Sequence, residues 1–332
     1  MSSVFILGAG FCLDANRLAN QSGAVSGAYP LACEMAACFG GRYDLSNGVE
    51  EAFLAARNQR DRGPGEQLVD LIQTADYFVG SRVATMKMSP YRDLVNKYPR
   101  ATFLSFNYDC LLEQLLLLAQ LWNPRDGFGA PANALVHPVA VDNIAVAPSS
   151  SVHVLHLHGS IYLYPVEYET YTEGGRDPLL FRQRGSPEFR FDPDALGHHF
   201  LPFERIPPDI HYMLPYERLI LPVPDKSEDL AQRALQLVYT SATNAIRIVG
   251  AVIAIGYSFA PYDLSSYRPL LQALEQTDGQ RLTVVDPNAH LIAERLHSEF
   301  PKLTIEPVRT TFSLWIDVQT QQAETAPSNE EL

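Results

Sequence analysis

Asn107 and Asp109 stand in Ser105-Phe106-Asn107-Tyr108-Asp109, directly after an apolar run, and His158 stands in His158-Gly159-Ser160 after another. An amide, a carboxylate and an imidazole at the ends of buried strands can orient a water molecule or a sugar hydroxyl and move its proton. A glycine-rich turn, Gly8-Ala9-Gly10, follows the apolar run 4–7. Such a turn lets backbone N–H groups approach a diphosphate. The third glycine of the usual dinucleotide fingerprint is missing, and Leu13 holds its place. Gly256-Tyr257-Ser258 and Asp286-Pro287-Asn288 close two further apolar runs.

Each of these residues also has a plainer use. The glycines suit any strand-to-loop turn, Asn107 is a turn former, and Asp109 is placed to cap a helix over 110–121. His158 suits a structural role as well as that of a general base or ribose contact. His153, His156 and His158 could suggest a metal, but only His156 and His158 share a strand face and no carboxylate completes a set, so no metal is expected. The chain has no G-x-x-x-x-G-K-[ST] phosphate loop and no G-x-S-x-G nucleophile elbow. Cys12, Cys33, Cys38 and Cys110 form no C-x-x-C pair and fit neither a zinc ribbon nor a disulfide framework. They read as reduced thiols, which together with the absence of a basic leader at the first residues points to the cytoplasm.

The elements that must hold these groups alternate. Strands are expected over 4–7, 101–106, 152–157, 251–255 and 282–285, with an edge strand over 303–308. Helices are expected over 31–39, 65–86, 110–121, 265–275 and 288–300, and another from an N-cap at Ser227 to Ile248. This alternation predicts an α/β fold: a Rossmann-like, mostly parallel sheet with helices on both faces. Ligands of such sheets bind beyond the carboxyl ends of the strands, where all five polar clusters fall. Residues 160–225 break the pattern, being rich in Pro, Tyr, Phe, Arg and Asp, and read as an inserted lid. The expected organisation is one domain over 1–318 with this insertion, then a polar, disordered tail over 319–332.

Of the 332 residues 46% are hydrophobic, enough for a large core, which excludes a wholly disordered chain. The 25 Lys and Arg against 38 Asp and Glu give a net charge of −13, which argues against a general nucleic-acid or membrane-surface binder. No apolar run approaches the length of a membrane span.

Taken in order, Gly8-Ala9-Gly10-Phe11-Cys12, Ser105-Phe106-Asn107-Tyr108-Asp109, Leu157-His158-Gly159-Ser160, Ile255-Gly256-Tyr257-Ser258 and Val285-Asp286-Pro287 resemble the sirtuin superfamily. The similarity is greatest to its bacterial sirtuin-like branch of anti-phage NADases. Tyr29-Pro30-Leu31-Ala32-Cys33-Glu34 and the spacing from Gly256 to Asp263 also resemble motifs of that branch. The resemblance implies NAD as substrate, with Gly8, Ala9, Gly10, Phe11 and Cys12 in the diphosphate loop. It places Gly256 and Ser258 near phosphate, and Asp286 near the adenosine ribose. Asn107 would order water or the nicotinamide ribose, Asp109 would help hold the nicotinamide end, and His158 would be the base.

Where classical deacylases of the superfamily have Gln before the Asn, this chain has Phe106, and where they have Ser or Thr it has Cys12. Their four-cysteine zinc module follows the catalytic His, but residues 160–225 contain no Cys. The resulting expectation is an NAD+ glycohydrolase that releases nicotinamide and ADP-ribose. It would act as a defence effector in an assembly, as a homo-oligomer or with a partner such as a helicase-like ATPase. Tyr162, Tyr164, Tyr168, Tyr171, Phe181, Phe189 and Phe191, with four arginines, would supply an interface there. The alternatives are a non-enzymatic NAD or ADP-ribose sensor, a scaffold subunit docking a helicase-like ATPase and, less favoured, a deacylase.

Overall fold

A computed structural model describes residues 3–23, 27–31, 34–123, 127, 149–161, 163–166, 188–191, 219–231, 233–249, 252–277 and 281–325. Strand β1 (Val4–Leu7) is buried at every position, as its unbroken apolar run requires of a central strand. It lies between β2 (Thr102–Ser105) and β6 (Val252–Ile255), with Val4 opposite both Thr102 and Val252. Strand β3 (His153–His156) extends the sheet beyond β2, and β7 (Arg281–Val285) and β8 (Thr304–Val308) extend it beyond β6. All these pairings are parallel, and the order is β3-β2-β1-β6-β7-β8. The chain thus winds outward from β1 in one direction and then in the other. The reversal leaves a crevice above the carboxyl ends of β1 and β6. A separate antiparallel hairpin pairs β4 (Leu163–Val166) with β5 (Glu188–Phe191).

Helix α1 (Ala9–Gln21) leaves β1 at once, and α6 (Leu111–Leu118) follows β2. Helix α9 (Leu264–Glu275) follows β6, and α10 (Ala289–Glu299) follows β7. The helix expected over 65–86 is α3 (Gly63–Ala75), a π-helical turn (Asp76–Gly80) and α4 (Ser81–Thr85). Residues 34–39 form a 3₁₀ helix instead of the α-helix expected over 31–39. Helix α1 was not anticipated, nor were α2 (Val49–Asn58) and α5 (Pro90–Lys97). Helix α5 opens on a cap that is legible in retrospect: Ser89 Oγ accepts from Arg92 N at 3.2 Å, and Pro90 occupies the first helical position.

Two boundaries need correction. Ser227 does not cap a helix; it is the first residue of the short α7 (Ser227–Leu230), and its N–H donates to Asp225 Oδ1 at 2.9 Å. The apolar stripe that follows belongs to a second helix, α8 (Arg233–Ile248). The chain is also helical past residue 318, in α11 (Phe312–Thr325), because Phe312, Trp315 and Ile316 bury one face of that helix. Residues 326–332 lie outside the described residues. So does most of 160–225, and with it the expected aromatic interface. Among the described residues no helix is long and apolar enough to cross a membrane.

Candidate active site

The crevice between β1 and β6 is formed by backbone in contact with backbone. Gly8 N donates to Ile255 O at 3.1 Å, and Gly10 N donates to Gly256 O at 2.9 Å. A Cβ on Gly10 would sit 2.7 Å from Gly256 Cα. One on Gly256, whose φ is +59°, would sit 2.4 Å from Phe11 N. Only glycine fits such an approach. The glycines therefore serve close packing of the two loops, and the N–H groups of Gly8 and Gly10 are already taken by sheet carbonyls. Ala9, at the start of α1, is exposed.

A cleft of about 410 Å³ opens above this contact. Gly8, Ala9, Gly10, Gly256 and Ser258 line its middle, Asp286 and Asn288 one side, and Asn107, Asp109 and His158 another. Cys12 also lines it, whereas Phe11 does not. The Phe11 ring is buried against Tyr91 and Phe312, with centroids 4.9 Å away in both cases, so its side chain belongs to the core. Ser258 is exposed, and Asp286 Oδ1 accepts from Asn288 N at 2.7 Å, which shapes the turn after β7. Burial raises the Asp286 carboxyl above its ordinary range.

The Asn107 amide is braced from below. Its Nδ2 donates to Gly8 O at 3.1 Å and lies 3.3 Å from Cys12 Sγ. Cys12 Sγ in turn donates to Asp109 Oδ2 at 3.1 Å, and Asp109 Oδ1 accepts from Leu111 N at 3.1 Å. Both oxygens of Asp109 are thus engaged within the protein, one of them on the first N–H of α6. Burial, more than anything else, raises the Asp109 carboxyl, and it raises the Cys12 thiol well above its ordinary value. Cys12 is accordingly an unreactive thiol that ties α1 to the loop after β2.

His156, one face of β3 below His158, supports the same loop. Its Nδ1 lies 3.2 Å from Asn107 O, and its Nε2 pairs with Glu113 of α6. Burial works against a charge on this ring, but the Glu113 carboxylate and the Asn107 carbonyl outweigh it, so its pKa is raised. With an acceptor at each nitrogen, the ring is the imidazolium. His156 is therefore a buried structural cation, one member of the histidine run that first suggested a metal.

His158 is the opposite case. It is buried, and its Nε2 lies 3.0 Å from Ser266 Oγ in the first turn of α9. Burial pushes its pKa down to about 4. Phe106 packs against it edge-on with centroids 4.8 Å apart, and Phe106 itself stacks on Tyr257 at 4.1 Å and 7°. The aromatic residue that departs from the deacylase pattern thus joins the loops after β2 and β6 and walls the imidazole off from water.

Sequence reasoning missed Lys226 and Ser266 at this end of the cleft, and met Asp263 only as part of a motif. Lys226 is buried, with Nζ 2.5 Å from Asp263 Oδ1 and 5.2 Å from the centroid of the Tyr262 ring. Asp263 Oδ2 accepts from Tyr257 OH at 3.4 Å. Nothing in Asp225-Lys226-Ser227 marks that lysine as buried; only its carboxylate partner, at a motif position after β6, could have pointed to it. Among the described residues no cluster of His, Cys, Asp or Glu could hold a metal ion.

No protein-family model and no curated protein matches the chain. Several solved structures align with the chain at low identity. One is a Sir2 homologue in complex with ADP-ribose, 13% identical, with a TM-score of 0.42 over 100% of this chain and 95% of that one. Another, from work on the mechanism and regulation of Sir2 enzymes, is 12% identical, with a TM-score of 0.44 over 98% of this chain and 94% of that one. A third, Sir2 with a p53 peptide and NAD+, is 14% identical, with a TM-score of 0.37 over the same shares.

Proposed function

We propose that the chain is an NAD+ glycohydrolase. One observation carries this reading: a single cleft at the point where the sheet order reverses joins Asp286 and Asn288 to Asn107 and His158 across the glycine contact. Such a cleft suits a dinucleotide, with adenosine toward Asp286 and the nicotinamide ribose toward Asn107 and His158. The sequence resemblance to sirtuin-like NADases agrees with this placement.

Water attacks C1′ of the nicotinamide ribose as the glycosidic C–N bond breaks. The bond's electron pair goes to the pyridinium nitrogen, so a cationic leaving group departs as neutral nicotinamide and needs no strong acid. With Nε2–H donating to Ser266 Oγ, His158 keeps its lone pair on Nδ1 and takes the proton of the attacking water. Asn107 Oδ1, which accepts no hydrogen bond among the described residues, orients that water or a ribose hydroxyl. The products are ADP-ribose and nicotinamide. In the cell the activity would be that of an NAD-depleting defence effector, restrained until the chain assembles with itself or with a helicase-like ATPase.

One observation favours a second reading, a non-catalytic NAD or ADP-ribose sensor: the Asn107 amide hydrogens and both Asp109 oxygens are spent inside the protein. Incubation of the purified chain with NAD, followed by chromatography, separates the two. Release of nicotinamide is expected. Saturable binding of ADP-ribose without nicotinamide release, at any protein concentration, would establish the sensor instead.

A further inference from the structure

We propose that the buried Lys226–Asp263 pair is a positioning device for the reaction assigned above: opposite charges that offset one another at His158, so that neither disturbs the uncharged base that burial makes of it. The proposal rests on the NAD-cleaving reading of the cleft.

Both charges reach the site on elements bonded to His158 itself. Asp263 is the N-cap residue of α9, but its carboxylate makes no capping bond and turns to Lys226. Within the same turn Ser266 Oγ meets His158 Nε2 at 3.0 Å. Lys226 ends a segment that is bonded to the loop after β3, where Ile220 N donates to His158 O at 2.9 Å. Tyr108 OH holds the same segment through Ile220 O at 2.6 Å. His158, Lys226 and Asp263 all line the one cleft.

Tyr108, after β2, faces the imidazole with ring centroids 6.5 Å apart, Tyr257 and Tyr262 after β6 meet Asp263 and Lys226, and Tyr239 of α8 meets Ser266. Burial raises all four hydroxyls, so they stay neutral. Among the described residues, Lys226 and Asp263 are the charges that act on His158. After burial itself, Asp263 favours the protonated ring and Lys226 opposes it.

The pair is hard to explain as a stabilising contact. Desolvating two charges offsets most of their attraction, and an apolar pair of similar volume serves a core as well or better. Placed beside a neutral histidine in a cleft, the pair has a use: the carboxylate anchors the lysine, and the lysine cancels the carboxylate at the ring.

The test uses the full chain with labelled histidine, following the His158 imidazole by NMR across pH, with NAD cleavage measured over the same range. Lys226→Gln keeps a donor for Asp263 but removes the charge. Its His158 midpoint and the acid limb of its cleavage profile are both expected to rise by roughly one pH unit. Lys226→Arg keeps the charge and is expected to leave both near wild type. A folded Lys226→Gln with an unmoved His158 midpoint would overturn the proposal. Should Lys226→Gln not fold, Asp263→Asn reads the same balance with the opposite sign. Its midpoint and acid limb fall, and an unmoved pair of values again defeats the idea. If the wild type releases no nicotinamide, the glycohydrolase reading fails while the NMR midpoints still decide whether the pair sets the state of His158.

Discussion

His158 titrates near 6.5 in an unfolded chain and near 4 in the fold. Between those values the unfolded chain binds a proton that the folded one does not. Stability contributed by the neutral ring is therefore complete above pH 6.5 and is lost as pH falls toward 4. The full shift is worth roughly 3 kcal/mol. His158→Gln is expected to remove this component, so its stability relative to wild type should improve on acidification through that window, as read by urea unfolding at several pH values. The same residue is expected to be indispensable for turnover. His158→Ala and Asn107→Ala should each lower NAD cleavage by about 100-fold or more while the far-ultraviolet dichroism stays that of the wild type. Normal turnover in either variant would remove that residue from the mechanism.

Among the elements, α6 has two tasks that its composition conceals. Its run of leucines reads as a plain buried helix, yet Glu113 and Gln114 are buried with it. Glu113 pairs with His156, and His156 carries the Asn107 carbonyl, so the helix reaches the site through one ion pair. Glu113→Ala would strand the imidazolium in the core at a cost of about 3–5 kcal/mol, whereas replacing both Glu113 and His156 with leucine should cost clearly less. Chemical denaturation of the single and double variants checks this. The π-helical turn after α3 is a second concealed device. It widens the helix at Asp76, whose carboxylate accepts from Tyr29 OH at 2.7 Å and from Cys110 N at 3.3 Å, bracing the start of α6. No periodicity announces one extra residue in a helical turn, so the sequence reads as a single helix across 65–86. The strands are legible for the converse reason. Buried parallel strands are uninterrupted apolar runs, and each ends at a polar or glycine cluster. Pairings between distant parts of the chain, such as Glu113 with His156 and Lys226 with Asp263, leave no trace in local pattern.

For the molecule as a whole, the alternation of strands and helices foretold the parallel sheet, and the reversal of strand order placed the cleft where the motif residues gather. Helix α2 escaped notice because it is short and only partly apolar on its buried face. The architecture hangs on the single point where the loops after β1 and β6 touch. Gly256→Ala would impose a left-handed φ on a residue with a Cβ and drive that atom into Phe11 N, at a cost of about 1–3 kcal/mol or more. A lowered midpoint in thermal unfolding, together with weaker NAD binding, is the expected outcome, since the contact is also the floor of the cleft.

His158 and Ile220 are joined by the bond between Ile220 N and His158 O, and Ser160 and Ile161 are buried beside them. Ser160 Oγ and Ile161 N both hold to Tyr108 O, and Tyr108 OH holds Ile220 O. Tyr108 thus clasps both Ser160–Ile161 and Ile220. In polymer terms the two ends of the stretch 162–218 are pinned together. Replacing that stretch with a short glycine linker would relieve closure entropy on the order of 2 kcal/mol. Such a shortened chain is expected to form the same sheet and to unfold in one cooperative transition, which would make this stretch a site where sequences of any length could be grafted next to His158.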